Sequence, residues 1–181
     1  MLAPHKRAVE LLCTIPGVAL RTAQVLIAEC GLDMSRFPSA GHLVSWAGVC
    51  PGHNESAGRR RSGRTRPGPG WLTEALTEAA QAAARTKGTY LAAHHAQLRG
   101  RRGEPKAVGA TRHDILIAYY HIVRDQVPFR ELGPDWLRRR HSPEHRARRL
   151  QKQLEALGYK VMIEACPEQQ GALEQETPAT T

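Results

Sequence analysis

Apolar positions follow a helical period over most of the chain. Residues 6–13 predict a first helix, ended by Pro16 and Gly17. Residues 19–30 predict a second, with Ala23, Leu26 and Ile27 on one face and Gly31 as its stop. Ser39 is placed to cap a short third helix whose apolar side is Leu43, Val44, Trp46 and Ala47. The pattern then breaks. Residues 48–70 are rich in Gly, Pro, Arg and Ser and show neither a helical nor a strand period, which predicts a long loop. Helix resumes at Trp71, where Leu72, Leu76, Ala79 and Ala83 recur at helical spacing among intrinsically helix-favouring alanines. Further helices are expected over 89–99 and 105–125, joined by a basic turn at 100–103; Ile115, Leu116, Tyr119, Ile122 and Val123 form a core stripe. Ser142 as cap, Pro143 in the first turn and Glu144 open a last helix that Gly158 stops, and residues 159–163 alternate toward a short strand. The expected fold is mainly α.

Composition narrows the function. The 181 residues carry 26 Lys and Arg against 17 Asp and Glu, a net charge of +9. The hydrophobic share of 41% suits a globular protein, and no apolar run is long enough for a membrane span. A soluble, cytoplasmic protein is expected. The aromatic share of 5% argues against a single-strand binder that works by stacking. The four cysteines, at 13, 30, 50 and 166, form no CxxC pair, which removes zinc ribbons and thioredoxin-like chemistry and leaves reduced, structural thiols.

The charge is clustered. Arg59, Arg60, Arg61, Arg64 and Arg66 crowd into eight positions of the expected loop, and Arg138, Arg139, Arg140, Arg146, Arg148 and Arg149 form a second group. Positions 166–181 hold three acidic residues and no basic one, and read as a disordered acidic tail. Clustered guanidinium groups suit a polyanion, nucleic acid foremost; a solvated charged face is the plainer reading. The expected organisation is a domain over 1–135, a basic helix and short strand over 136–165, and the tail over 166–181.

Three constellations could carry chemistry. Pro16, Gly17 and Val18 lie in a turn between two helices, where a helix-hairpin-helix would aim backbone N–H groups at a DNA phosphate and a plain connector would not. Ser56 sits before Ala57 and Gly58 and ahead of the arginines. An accessible hydroxyl beside cations has what attack on a phosphodiester needs, with Glu55 or His53 as a possible proton acceptor; a solvated linker is the alternative. His94 and His95, or His141 and His145, could ligate a metal but lack partners at convincing spacing, so no metal site is expected in this chain. Asp114 and Asp125 do not make a two-metal carboxylate cluster.

Taken in order, Leu12, Ile15-Pro16-Gly17, Ala23, Leu26-Ile27-Ala28-Glu29, Gly31, Arg36-Phe37, Leu43, Ala47-Gly48, Pro51, Glu55-Ser56-Ala57-Gly58, Leu72 and Glu78-Ala79-Ala80 resemble the C-terminal domain of insertion-sequence transposases of the IS110 and IS116 type. The stretch from Pro128 to Gly133 is similar to that family's end. The resemblance implies a bacterial enzyme that cuts and rejoins DNA through a serine–phosphate linkage, with Ser56 as nucleophile and Arg59, Arg60, Arg61, Arg64 and Arg66 on backbone phosphates. It further implies a guide RNA, a homo-oligomeric active complex, and Mg2+ bound only by a RuvC-like N-terminal domain. Only ten residues precede Leu11, so the chain is expected to be the C-terminal part of a longer transposase. Pro67 and Thr73 depart from the family pattern, which has a Lys before a Gly and an Arg after the Leu. A non-catalytic DNA-binding module, an inactive remnant, and a scaffold for RNA or protein are the competing readings.

Overall fold

A computed structural model of the chain describes residues 3–52, 54–62, 65–139 and 143–163. It divides into two units, 1–137 and 138–181. The elements in order are α1 (Ala3–Leu12), α2 (Leu20–Cys30), a 3-10 turn (Met34–Arg36), α3 (Ala40–Trp46), β1 (Asn54–Ser56), β2 (Arg59–Ser62), α4 (Gly70–Arg85), α5 (Tyr90–Arg102), α6 (Glu104–Asp125), α7 (Trp136–Arg139) and α8 (Pro143–Ala156). The mainly α class read from the apolar periodicity is the one found.

The first unit is organised around α6. Its apolar stripe is buried, with Ile115, Leu116 and Tyr119 wholly enclosed, and α3, α4 and α5 pack along it. Two tyrosines on this helix carry a hydroxyl into the core, where each must find a partner. Tyr119 Oη donates to the Gly31 carbonyl at 2.5 Å, and Tyr120 Oη to the Phe37 carbonyl at 3.2 Å. These bonds fasten α6 to the end of α2 and to the approach of α3. Cys30, buried near Tyr119, has its thiol pushed up to about 12 by burial and by Glu29, so it stays protonated and inert.

Small residues let α4 approach the α1–α2 turn. Gly17 has φ +86°, and a Cβ there would strike the Ala79 carbonyl and the Ala83 amide and lie 2.9 Å from Ala83 Cα. On α4 the facing residues are themselves alanines: Ala79, Ala80 and Ala83 are all buried. No side chain larger than hydrogen fits at position 17.

A segment after α6 straps the helices together. The Phe129 amide donates to Thr14 Oγ1 at 2.8 Å, and Glu131 Oε1 accepts from the Tyr90 amide at 2.7 Å and the Gly133 amide at 2.9 Å. Glu131 thereby places negative charge at the N-terminus of α5, where the helix dipole favours it. Two histidines clamp α5 to α6. His94 Nδ1 donates to Asp114 Oδ2 at 2.6 Å, while the buried His95 reaches Thr111 Oγ1 at 3.1 Å and Glu104 Oε1 at 3.2 Å.

Several sequence expectations change. The stretch expected as a loop holds the β1–β2 hairpin; its strands are too short to set up a visible period. Ser39 precedes α3 but makes no side-chain cap, its hydroxyl pairing with His42 Nδ1 at 2.9 Å instead. The basic turn shrinks to Gly103, because α5 runs on through Gly100 and Arg101 to Arg102. Residues 159–163 form no strand: a strand needs a neighbour, and here Gln151 Nε2 donates back to the Val161 carbonyl at 3.3 Å. The helix before them ends as expected at Gly158, φ +89°, with the Gly158 amide bonded to the Glu155 carbonyl and the Tyr159 amide to the Leu154 carbonyl. Ser142 and the tail over 166–181 lie outside the described residues.

Two outcomes follow from this packing. Gly17→Ala should cost about 3 kcal/mol of stability or more, through overpacking against α4 and left-handed strain; thermal denaturation measures it, and a shift under a degree would refute the contact. Asp114 is opposed by burial, which raises its pKa, but hydrogen bonds from His113 and His94 outweigh this and hold the carboxyl below its ordinary range. A folded pKa that is depressed stabilises above the unfolded value of about 3.9, and that contribution disappears as pH falls through the folded value. The difference in melting temperature between wild type and Asp114→Asn should therefore shrink below about pH 4. A difference independent of pH would show that the ionised carboxylate is not what holds α5 to α6.

Candidate functional site

Ser56 and three of the clustered arginines, Arg59, Arg60 and Arg61, lie on the β1–β2 hairpin. The strands pair antiparallel with Asn54 opposite Ser62, Glu55 opposite Arg60 and Ser56 opposite Arg59, with an irregularity between Asn54 and Glu55. Ala57 and Gly58 make the turn at φ 52° and 72°. Two consecutive left-handed residues are what a tight hairpin turn of this hand requires. Gly58 adopts that conformation freely, whereas Ala57 pays roughly 1 kcal/mol for its Cβ. Ser56 is thus the last residue before a strained turn. Opposed residues have Cα atoms about 4.5 to 5.5 Å apart, so an arginine stands directly across from it.

The rest of the cluster continues from there. Arg60 and Arg61 follow Arg59 in β2, and Arg66 is exposed in the segment leading to α4. Arg64 and His53 lie outside the described residues. Glu55 is the β1 residue adjacent to Ser56 and pairs in register with Arg60.

What holds the hairpin on the helical body is a crossing of two backbone segments. Gly48 has φ +69°, and a Cβ on it would come within 2.6 Å of the Arg66 carbonyl and 2.9 Å of the Gly68 amide. From the other side, a Cβ on Gly68 would strike the Ala47 carbonyl. The chain leaving α3 and the chain entering α4 therefore touch backbone to backbone. Ala47 and Val49 are buried beside this neck, and Leu72 anchors the first turn of α4. Sequence reasoning missed both the hairpin and its neck. The available signals were Ala57-Gly58 between polar runs and a glycine set between Pro67 and Pro69.

The turn at Pro16, Gly17 and Val18 does connect two helices, yet its residues are engaged inward. Val18 is buried, Pro16 is half-buried and Gly17 lies against α4. The exposed part of this junction is Ala19, Leu20 and Arg21, at a helix start with no side-chain cap. Of the departures from the family pattern, Pro67 is exposed beside the neck and Thr73 lies in the first turn of α4, where its amide donates to the Pro69 carbonyl.

His94 and His95 hold helices together. They are the α5 clamps already described, and His141 lies outside the described residues. Asp114 and Asp125 serve separate partners, His94 and Arg124. Among the described residues no group of three or more His, Cys, Asp or Glu converges to hold a metal ion. No helix of the described residues is long and apolar enough to cross a membrane.

Residues 9–96, which contain the hairpin and its neck, match the family Transposase IS116/IS110/IS902. The relatives it matches include the "Pilin gene-inverting protein" of Moraxella bovis, 47% identical over 47 residues, and its namesake in Moraxella lacunata, also 47% identical over 47 residues. Each alignment covers 26% of this chain and 14% of the relative. The "Insertion element IS110 uncharacterized 43.6 kDa protein" of Streptomyces coelicolor (strain ATCC BAA-471 / A3(2) / M145) is 49% identical over 41 residues, 23% of this chain and 10% of that protein. The chain therefore covers only a small part of the length of these relatives.

The neck yields a measurable consequence. Gly68→Ala should force the two segments apart and speed limited trypsin cleavage within residues 59–66 several-fold, at a cost of roughly 1 to 3 kcal/mol to the neck. Cleavage at the wild-type rate would mean that the crossing does not restrain the hairpin.

Proposed function

We propose that this chain acts in the DNA cutting and joining of insertion-sequence transposition, with Ser56 as the nucleophile. The observation that carries the reading is the register of the hairpin: a serine ahead of a strained turn, an arginine opposite, and more arginines on the same strand. In the proposed step Ser56 loses its proton, its Oγ bonds to a backbone phosphorus, and a deoxyribose oxygen leaves as a hydroxyl after taking up a proton. The phosphoserine ester conserves the energy of the broken bond, so attack by the hydroxyl of another strand rejoins DNA and frees the serine. Arg59, Arg60, Arg61, Arg64 and Arg66 grip phosphates and offset the charge that develops at phosphorus. Glu55 or His53 serves as acceptor of the serine proton in this reading.

The arginines serve a guide-RNA phosphate as well as a DNA phosphate, because such contacts carry no sequence information. Carboxylates that bind Mg2+ come, in this reading, from a RuvC-like domain. The turn at Pro16, Gly17 and Val18 contributes to DNA contact through the start of α2 rather than through Gly17 itself. Exchange between two DNA ends calls for more than one copy of the chain. A remnant that grips DNA without cutting it is the second reading, favoured by Pro67 and Thr73 in place of two phosphate-binding side chains.

The test separates grip from chemistry. With five arginines each neutralising one phosphate, log K against log salt should fall with a slope of about −4.5 on duplex DNA, and Arg60→Ala should make it shallower by about 0.9. Incubation with DNA from the element's ends, with and without a RuvC-like half and guide RNA, should give a protein–DNA band that survives denaturation. Ser56→Ala should abolish that band and leave affinity nearly unchanged. Salt-sensitive binding with no band under any condition would establish the remnant, and a slope near zero would end both readings.

A further inference from the structure

Two of the three tryptophans flank the neck and are left open to solvent. Trp46 ends α3, two residues before Gly48, and is 45% exposed. Trp71 is the second residue of α4, three residues after Gly68, and is 71% exposed. Because Gly48 and Gly68 touch, the two indoles spring from backbone positions no more than about 20 Å apart. Trp136, by contrast, packs edge-on against Tyr90 with 5.3 Å between ring centroids. Trp46 meets Phe37 at 5.8 Å with the ring planes inclined at 55°, and the Phe37 carbonyl is itself held by Tyr120. One part of that indole is therefore fixed while the rest stays open. Trp71 is the most exposed large apolar side chain among the described residues of the first unit, and the core does not need it, since Leu72 beside it anchors the helix.

The surroundings say what fits these open faces. From residue 34 to residue 73 the only acid is Glu55, against six arginines. Arg66 is exposed between the hairpin and Trp71. The helix that carries Trp71 opens with neither a side-chain cap nor an acidic residue in its first turn, so nothing negative there repels a phosphate. An apolar protein segment would need a continuous apolar patch, and Trp71 stands instead among exposed Arg66, Pro67 and Gly70. A nucleobase is flat, polarisable and tethered to a negative phosphate, which matches an indole set among guanidinium groups. Inside a duplex each base is already stacked on both faces, so the base that reaches an indole must be unpaired. Nine aromatic side chains are too few for a stacking track along a whole strand, but two at one place serve the bases beside a single phosphate.

We propose that Trp71 and Trp46 stack against unpaired DNA bases beside the phosphodiester that Ser56 attacks, so that the site takes a locally opened strand rather than an intact duplex. The inference rests on the DNA reading above, while its test reads binding alone. The full chain is titrated, by fluorescence anisotropy, into a labelled oligothymidine, the same strand with its bases removed, and the same strand paired with oligoadenine. Trp71→Ala should weaken binding of the single strand about five- to 150-fold and change the abasic strand and the duplex less than about twofold. Trp71→Tyr, which keeps a ring, should recover most of the loss. Trp46→Leu, which keeps bulk against Phe37, should also weaken the single strand alone. Neither loss should alter the salt slope, because no charge is removed. Far-ultraviolet circular dichroism checks that each variant keeps its helices. An unchanged single-strand affinity in Trp71→Ala or Trp46→Leu, or a loss shared equally by all three ligands, would overturn the proposal. Dependence on Trp71 found with oligouridine RNA and absent with oligothymidine would assign the indoles to RNA and overturn it too. A salt slope near zero on every strand would end this proposal together with the DNA reading. Dependence on Trp71 without a covalent adduct would keep the stacking and end the serine reading.

Discussion

The contact between the Ala47–Gly48 backbone and the Arg66–Gly68 backbone governs what the hairpin can be. Without it, the arginines would sit on a long excursion tied to the body only at distant ends, and ordering them on a phosphate backbone would cost conformational entropy residue by residue. With the two strands of the excursion pinched together at the helices, closure has been accomplished during folding. Only the hairpin itself remains to be ordered. The pinch requires two residues without a Cβ, because either side chain would occupy the space of the other segment's backbone.

The helical body supports that neck from beneath. Burial on α6 brings α3 and α4 against a common surface, and α3 ends and α4 begins at the neck. Tyr119 and Tyr120 add direction to this burial, since their hydroxyl groups find partners only when the end of α2 and Phe37 are in place. Hydrophobic contact alone is indifferent to small slips between helices, whereas hydrogen bonds from a buried phenol are not. The same division of labour recurs at α5, where Leu91 supplies burial and the His94–Asp114 pair supplies register.

The helices were legible because their apolar spacing is written over many residues. The stripe of α6 and the alanine face of α4 could be read directly, and Gly31 and Gly158 marked ends that the structure reproduces. The hairpin was not legible. Three or four polar residues per strand carry no alternation, and its turn uses Ala57 where Asn or Asp would have advertised it. Nor could the sequence distinguish a glycine that serves a phosphate from one that serves a neighbouring helix. Gly17 looked available for a ligand, and its free space is filled by Ala79 and Ala83, more than sixty positions along the chain. The grouping of Ser56 with the arginines was visible in one dimension; their register was not, because it depends on which residues turn.

The join between α5 and α6 is made by Gly103 alone, at φ +83°, which ends one helix and precedes the other. Two helices joined by a single residue meet after closing almost no loop, so their pairing spends very little chain entropy. The long-range contacts of Tyr119 with Gly31 and of Phe129 with Thr14 must each close a large part of the chain. By that measure the α5–α6 pair is the helix pair whose assembly costs the least loop closure among the described residues.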